Sequence, residues 1–240
     1  MVRRDVEGVL WVAGVALRPK DASAGGLGDW LLEQRQVLVR GATITWLDEM
    51  RGAPELRLDK VNLRLDRDGT MHRVGLTAVP PAQIASPFAV RAEFRGSDLG
   101  DAQSWSGRLY AQIGYADLAL VQKWIPSPLQ IGSGLGSMRL WLQRDGTRLN
   151  AATADVGLVN VHARLAPDLP ELALSEVHGR LSWSQSGDRS EFSATSLGFT
   201  VAGGVDVLCD AEICQHAYSL GWWHCISFFF QHRRIVAQAV

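Results

Sequence analysis

The side chains best suited to chemistry crowd the C-terminal end of this 240-residue sequence. Cys209, Cys214, His216, His224, Cys225 and His232 offer the thiolate and imidazole groups that zinc prefers. The C-x4-C-x-H run is not followed by the second ligand pair that closes a zinc finger or ribbon, so it is read as no metal site. "IGSGLGSM", Ile131 to Met138, has the look of a phosphate-cradling glycine loop. Gly132, Gly134 and Gly136 do not fit G-x-G-x-x-G, and the "MRLWLQ" that follows reads as a strand, not as a helix whose N-terminus could hold phosphate. They are read as glycines at a bend or bulge. "DRDG", Asp66 to Gly69, echoes the start of a calcium loop but lacks the later ligands and the closing glutamate, which leaves a hairpin turn. His72, His162 and His178 are isolated within strand patterns, and Asp48 and Glu49 sit at a strand end. No G-x-S-x-G, H-E-x-x-H or Walker motif occurs. The sequence therefore reads as a non-enzyme with no cofactor and no metal.

What these residues sit on is more informative. "VLVRGATITWLDE", Val37 to Glu49, alternates in twos and changes register at Gly41, where a bulge or corner is expected. After it, Leu56 and Leu58 share a face, and beyond Lys60 the apolar set becomes Val61, Leu63 and Leu65, a second shift. Asp68-Gly69 marks a hairpin whose return strand offers His72, Val74 and Leu76. "PPAQIASP" breaks the pattern as a loop. Then Phe88, Val90, Ala92 and Phe94 alternate with Arg91, Glu93 and Arg95, and Leu109, Ala111 and Ile113 form the next face. Met138, Leu140 and Leu142 precede an Asp145-Gly146 turn; Val177, Leu181 and Trp183 precede a Ser-Gly-Asp turn. Two short helices are expected, residues 28–35 with Asp29 as cap and residues 117–126 capped by Asp117 and stopped by Pro126. "LWVAGVALR", from Leu10, reads as one strand. About ten strands with turns at regular spacing predict antiparallel β structure. The helix-strand-glycine-strand unit occurs twice, which favours an extended architecture.

Composition agrees with a folded chain: 47 % of residues are apolar and 20 % charged, with nine tryptophans. A net charge of −1 excludes a dominant basic patch, so nucleic acid is not expected as a partner. The longest early apolar run, Gly8 to Leu17, is about half of the roughly 20 residues a membrane-spanning helix needs, so no transmembrane helix is read in this chain. After Gly204 the alternation fails and all three cysteines appear. The expected division is a β-groove segment over residues 1–204 and an atypical tail, disordered or frameshifted, over 205–240.

One apolar face recurs hairpin after hairpin, and the sequence holds no covering layer of equal size. The order of "DWLLEQRQVLVRGATITWLDEM", "LRLDKVNLRL", "HRVGLTAVPP", "SPFAVRAEFRG" and "SWSGRLYAQIGYADL" resembles the central region of AsmA-like proteins of the YhdP type, over about residues 8–204. The resemblance implies a mainly β fold: an extended, twisted antiparallel sheet of hairpins forming an open groove. It also implies a fragment of a longer protein anchored in the inner membrane of Gram-negative bacteria and extending through the periplasm. That protein would serve phospholipid transport to the outer membrane and upkeep of its barrier. Phospholipid acyl chains are then the expected partners, with other envelope proteins beside them, and membrane association would come from parts outside this chain. The groove candidates are Leu63, Leu65, Val74, Leu76, Val90, Phe94, Leu109, Ile113, Leu140 and Leu142. The alternative is a structural or assembly module of the envelope that binds proteins through its sheet edges.

Overall fold

The computed structural model describes residues 1–17, 30, 32–96, 105–125, 130–164, 171–187, 189–201, 205–216 and 237–238. The first strands are β1 (Val2–Arg4), β2 (Leu10–Val12), β3 (Val15–Leu17), β4 (Gln36–Asp48) and β5 (Leu56–Asp68). They continue with β6 (Met71–Val79), β7 (Phe88–Arg95), β8 (Ser106–Asp117), β9 (Gln130–Asp145) and β10 (Arg148–Arg164). The last are β11 (Leu172–Ser186), β12 (Arg189–Val201), β13 (Val205–His216) and β14 (Ala237–Gln238). All belong to one 14-stranded sheet. From β4 to β14 each strand pairs with its chain neighbours, antiparallel throughout. β1 is inserted beside β4 as the single parallel pair and carries β2 and β3 outward. The order is linear, so the sheet stays open, and L-residues give it its twist. Strand pairing runs past Gly204, because β13 pairs with β12 from Val205 to His216. Residues 217–236 lie outside the described residues.

Local chemistry explains the turns and bends. Gly69 and Gly146 take φ of +61° and +58° at the tips of the β5–β6 and β9–β10 hairpins. The expected single strand from Leu10 is instead a second hairpin, β2–β3. Ala13 and Gly14 both have positive φ, 50° and 87°, which suits a two-residue reversal. Gly41 sits at φ +60°, and the β4–β5 register shifts between Val39 and Ala42. The shift after Leu58 centres on Lys60, at φ +50°, even though lysine is a costly choice there. Asn160 and Ser196 repeat this device at register shifts of β10 and β12.

Helix is scarce. Trp30, Leu32 and Glu33 are helical, and Asp29 lies outside the described residues. The second helix is only α1 (Leu118–Val121), four residues where ten were expected. Asp117 caps it as expected, accepting from the Leu120 amide. Beyond it the chain goes on as turns to Ile125, and the Gln122 side-chain amide donates to the Ile131 carbonyl at 2.6 Å. The segment after α1 reaches back across the sheet: the Trp124 indole donates to the Pro54 carbonyl at 2.8 Å, and Arg51 donates to the Trp124 carbonyl at 3.3 Å. With the Ala85–Ala116 bridge, these contacts form a strap along one margin of β4–β9. The strap region holds much of the little core there is: Ala53, Val61, Ala78, Ala85 and Ala116 are buried. Asp48 is buried there as well, held by Arg4 from β1 and by the Arg51 amide.

Candidate functional site

Because side chains alternate, residues directly opposite one another across a ladder share a face. Following the register from β4 gives a row of Val37, Leu65, Val74, Ala92 and Leu109. The same row continues through Leu142, Ala152, Trp183 and Phe192 to the position of Ile213 on β13. Two residues along, a second row runs from Val39, Leu63, Leu76, Val90 and Ala111 through Leu140, Ala154, Leu181 and Ala194 to Ala211. A third, shorter row holds Ala78, Phe88, Ile113, Met138 and Val156. No polar side chain interrupts any of them. Ten strands at a spacing of about 4.8 Å make this face roughly 43 Å long.

The ten groove candidates all fall on this face: nine lie in the three rows. Phe94 lies one step beyond the first, opposite His72. Most row residues are half-buried, and Leu65 is shielded to 8 % exposure. The candidate set left out Val37, Val39, Ala92, Ala111 and Trp183, which the strand pattern had named, and the pattern gave no face to Ala152, Ala154 and Phe192, which the ladder pairing adds.

The two margins of the apolar face differ. At the strap margin, α1 lies on β9. A Cβ on Gly136 would stand 2.9 Å from Leu118 Cδ2 and 3.0 Å from Leu158 Cδ2, so glycine is what admits the helix. Gly134 takes φ +144° there, opposite the β10 bulge. Gly134 thus sits at a bulge, as expected, and with Gly136 it also seats α1 inside β9. At the hairpin margin, His72 is 3 % exposed and stacks on Phe94 at 5.1 Å, with Trp105 beyond. His72 Nε2 meets the Gly96 carbonyl at 3.2 Å while Nδ1 has no partner, and burial pushes its pKa below the usual value. The ring is a packed margin residue, and among the described residues no three metal-ligating side chains gather anywhere.

The opposite face is polar. Asp66, Arg73, Glu93 and Arg108 alternate in sign across four strands. Arg108 donates to Glu93 and holds its carboxyl below the usual range, as Arg180 does for Asp155. Tyr110 and Trp141 pack at 5.3 Å with Arg180 over the indole. A shallow hollow of about 430 Å³ opens beside them, lined also by Arg91 and Thr153. Arg91, Glu93 and Arg108 put charge at its rim beside the two aromatic rings.

Among the described residues, one face carries apolar rows with no layer packed over them beyond the strap margin and the other is charged, which makes an open β-groove segment. The family model of the YhdP protein matches residues 3–207. The chain belongs to the YhdP family. Membership points to a function associated with the cell envelope, in a family not known for enzymes. No curated protein and no solved structure matches the chain. The YhdP match spans β1 to the start of β13, so it takes in nearly all of both long apolar rows. No helix among the described residues is long and apolar enough to cross a membrane.

Proposed function

We propose that this YhdP-family chain is a segment of a periplasmic conduit for phospholipid between the inner and outer membranes. Its apolar face carries the acyl chains and its charged face meets water. The observation that supports this most is the pair of apolar rows that cross ten strands without a polar break and, among the described residues, without a covering layer. An uncovered apolar surface of that extent is not stable in water as a mere exterior and marks a binding face. Each methylene taken from water contributes about 0.8 kcal/mol, so a lipid tail and the sheet shield each other. The protein supplies no reaction: the face is chemically inert, and transport needs only a continuous apolar path.

Crosslinking by position tests the reading. A photoreactive amino acid placed in turn at 74, 76, 90, 109 and 140 in the full-length envelope protein should capture phospholipid. The same probe at 91, 110, 112 and 141, on the other face, should not. Capture that ignores this alternation would remove the case for a groove and favour the assembly-module reading, in which partners add to the open sheet edges at β3 and β14.

A further inference from the structure

Arginine is in excess on the polar face. Its three central rows, followed across β5–β11, hold six arginines, no lysine and three carboxylates. The carboxylates are shared out: Arg64 pairs with Asp66, Arg73 and Arg108 with Glu93, and Arg180 with Asp155. Arg91 and Arg139 are left over. Among the described residues Arg91 makes no hydrogen bond or ion pair, and Arg139 makes none either, although its charge reaches Asp155. The register sets them two strands and two residues apart, about 12 Å between Cα positions. These cations stand singly, not as a patch.

Two aromatic rings lie between them. Arg91 is opposite Tyr110 in the ladder, Tyr110 is opposite Trp141, and Arg139 is two residues from Trp141 on β9. Tyr110 and Trp141 pack at 5.3 Å, and Trp141 is still 37 % exposed. Next to them β10 contributes only Ala151 and Thr153 to these rows. Those short side chains leave the hollow of about 430 Å³, a volume within the range of small-ligand sites. Gln143 lines it too, and Arg108 at its rim is committed to Glu93 through two nitrogens. Arg91 is therefore the guanidinium that a ligand in this hollow would meet without displacing a carboxylate.

An exposed ring, neutral hydrogen-bonding side chains and an unpaired guanidinium suit a sugar that carries a carboxylate. One face of a pyranose ring is made of C–H groups and packs on an indole. Its hydroxyls match the Gln143 amide and the Thr153 hydroxyl, and a carboxylate accepts two parallel bonds from Arg91. A chain with a carboxylate on every unit would instead set its charges against Glu93 and Asp155. We propose that the hollow between Arg91 and Trp141 binds a glycan in which carboxylate-bearing sugars alternate with neutral ones. Arg139, about 12 Å away, is placed for a second carboxylate along the same glycan. The site is on the face opposite the apolar rows, so it goes beyond the conduit reading and is tested separately from it.

Isothermal titration calorimetry of the full chain makes the test with three probes. One is a tetrasaccharide alternating N-acetylglucosamine with N-acetylmuramic acid, one is the N-acetylglucosamine tetramer, and one is tetraglutamate. The two saccharides share a backbone and differ in the carboxylate-bearing lactyl group. The acidic tetrasaccharide should bind at least about tenfold more tightly than either of the others. Arg91→Gln changes an exposed side chain that has no partner, so it should leave the fold intact and bring the two saccharides level by weakening the acidic one alone. Trp141→Leu should weaken both. If that variant fails to fold, a shift of the Trp141 indole N–H signal in the wild-type NMR spectrum on adding either saccharide serves instead. Equal binding of the two saccharides, a preference that survives Arg91→Gln, or binding of neither overturns the proposal. Tetraglutamate binding as tightly as the acidic tetrasaccharide also overturns it, in favour of an acidic peptide. None of these outcomes bears on lipid capture at the apolar rows.

Discussion

Charging the middle row should break the path. Leu63, Val90 and Leu140 lie in the second row on β5, β7 and β9, two strands or about 10 Å apart. All three are half-buried without a ligand, so a bound acyl chain would cover the remaining part of each. Full burial of such a side chain is worth about 1.5–3 kcal/mol, so the part gained on lipid binding is about 1 kcal/mol. Aspartate forfeits that and must also keep its carboxylate hydrated; desolvating a polar group adds about 1–3 kcal/mol in proteins. The sum, about 2–4 kcal/mol per crossing, is a loss of about 30- to 1000-fold. The assay is phospholipid capture by a photoreactive residue at 109 in the triple variant Leu63→Asp, Val90→Asp, Leu140→Asp. The control is Gln112→Asp with Gln143→Asp on the polar face. A folded triple variant that captures as much lipid as wild type would refute the reasoning, because no acyl chain could then be lying across the second row.

Backbone predictions separate conformation from crowding. Gly41→Ala meets no atom within 4 Å, so its cost is that of positive φ alone, about 1 kcal/mol. Gly179→Ala combines φ +148° with a Cβ only 2.7 Å from Leu197 Cα and should cost at least twice as much; urea midpoints of the two variants in the reverse order would contradict this. Asp48→Ala leaves Arg4 without its partner and should destabilise by about 2–3 kcal/mol, seen as faster amide exchange in β1–β3 ahead of the rest of the sheet. His72 has a lowered pKa in the folded state, so its contribution is complete above the unfolded value near 6.5 and is lost as pH falls through the folded value. Stability should therefore decline as pH drops below about 6.5, and His72→Phe should remove that decline while the later loss from the carboxylates, Glu93 and Asp155 among them, persists.

Alternation made the face legible in the sequence. With a period of two and a single apolar side, Leu63, Leu65, Val74 and Leu76 could only stand together, and one hairpin turn fixed their register. What stayed hidden follows from what a single strand cannot carry. Ala152 and Ala154 gain their place only from neighbours across the ladder. Trp141 and Tyr110 are aromatic yet stand on the charged face, where their polar edges and Arg180 keep them. Gly41 announced its bulge and the change of apolar register announced the one at Lys60, but those at Asn160 and Ser196 were not read from the sequence. The bond from Gln122 to β9 that docks the end of α1 is a contact formed only on folding.

From β4 onward, spatial order equals chain order. Every ladder in that stretch therefore joins strands that are neighbours in the chain. Such a sheet can be laid down from its N-terminal side as the polypeptide emerges, each hairpin docking on a finished edge. It also works as a ruler. Every added hairpin lengthens the sheet by two strand spacings, about 9.6 Å, and leaves the cross-section as it was. With no closed interior to repack, evolution can adjust the span of such a protein to the width of its compartment by gaining or losing whole hairpins.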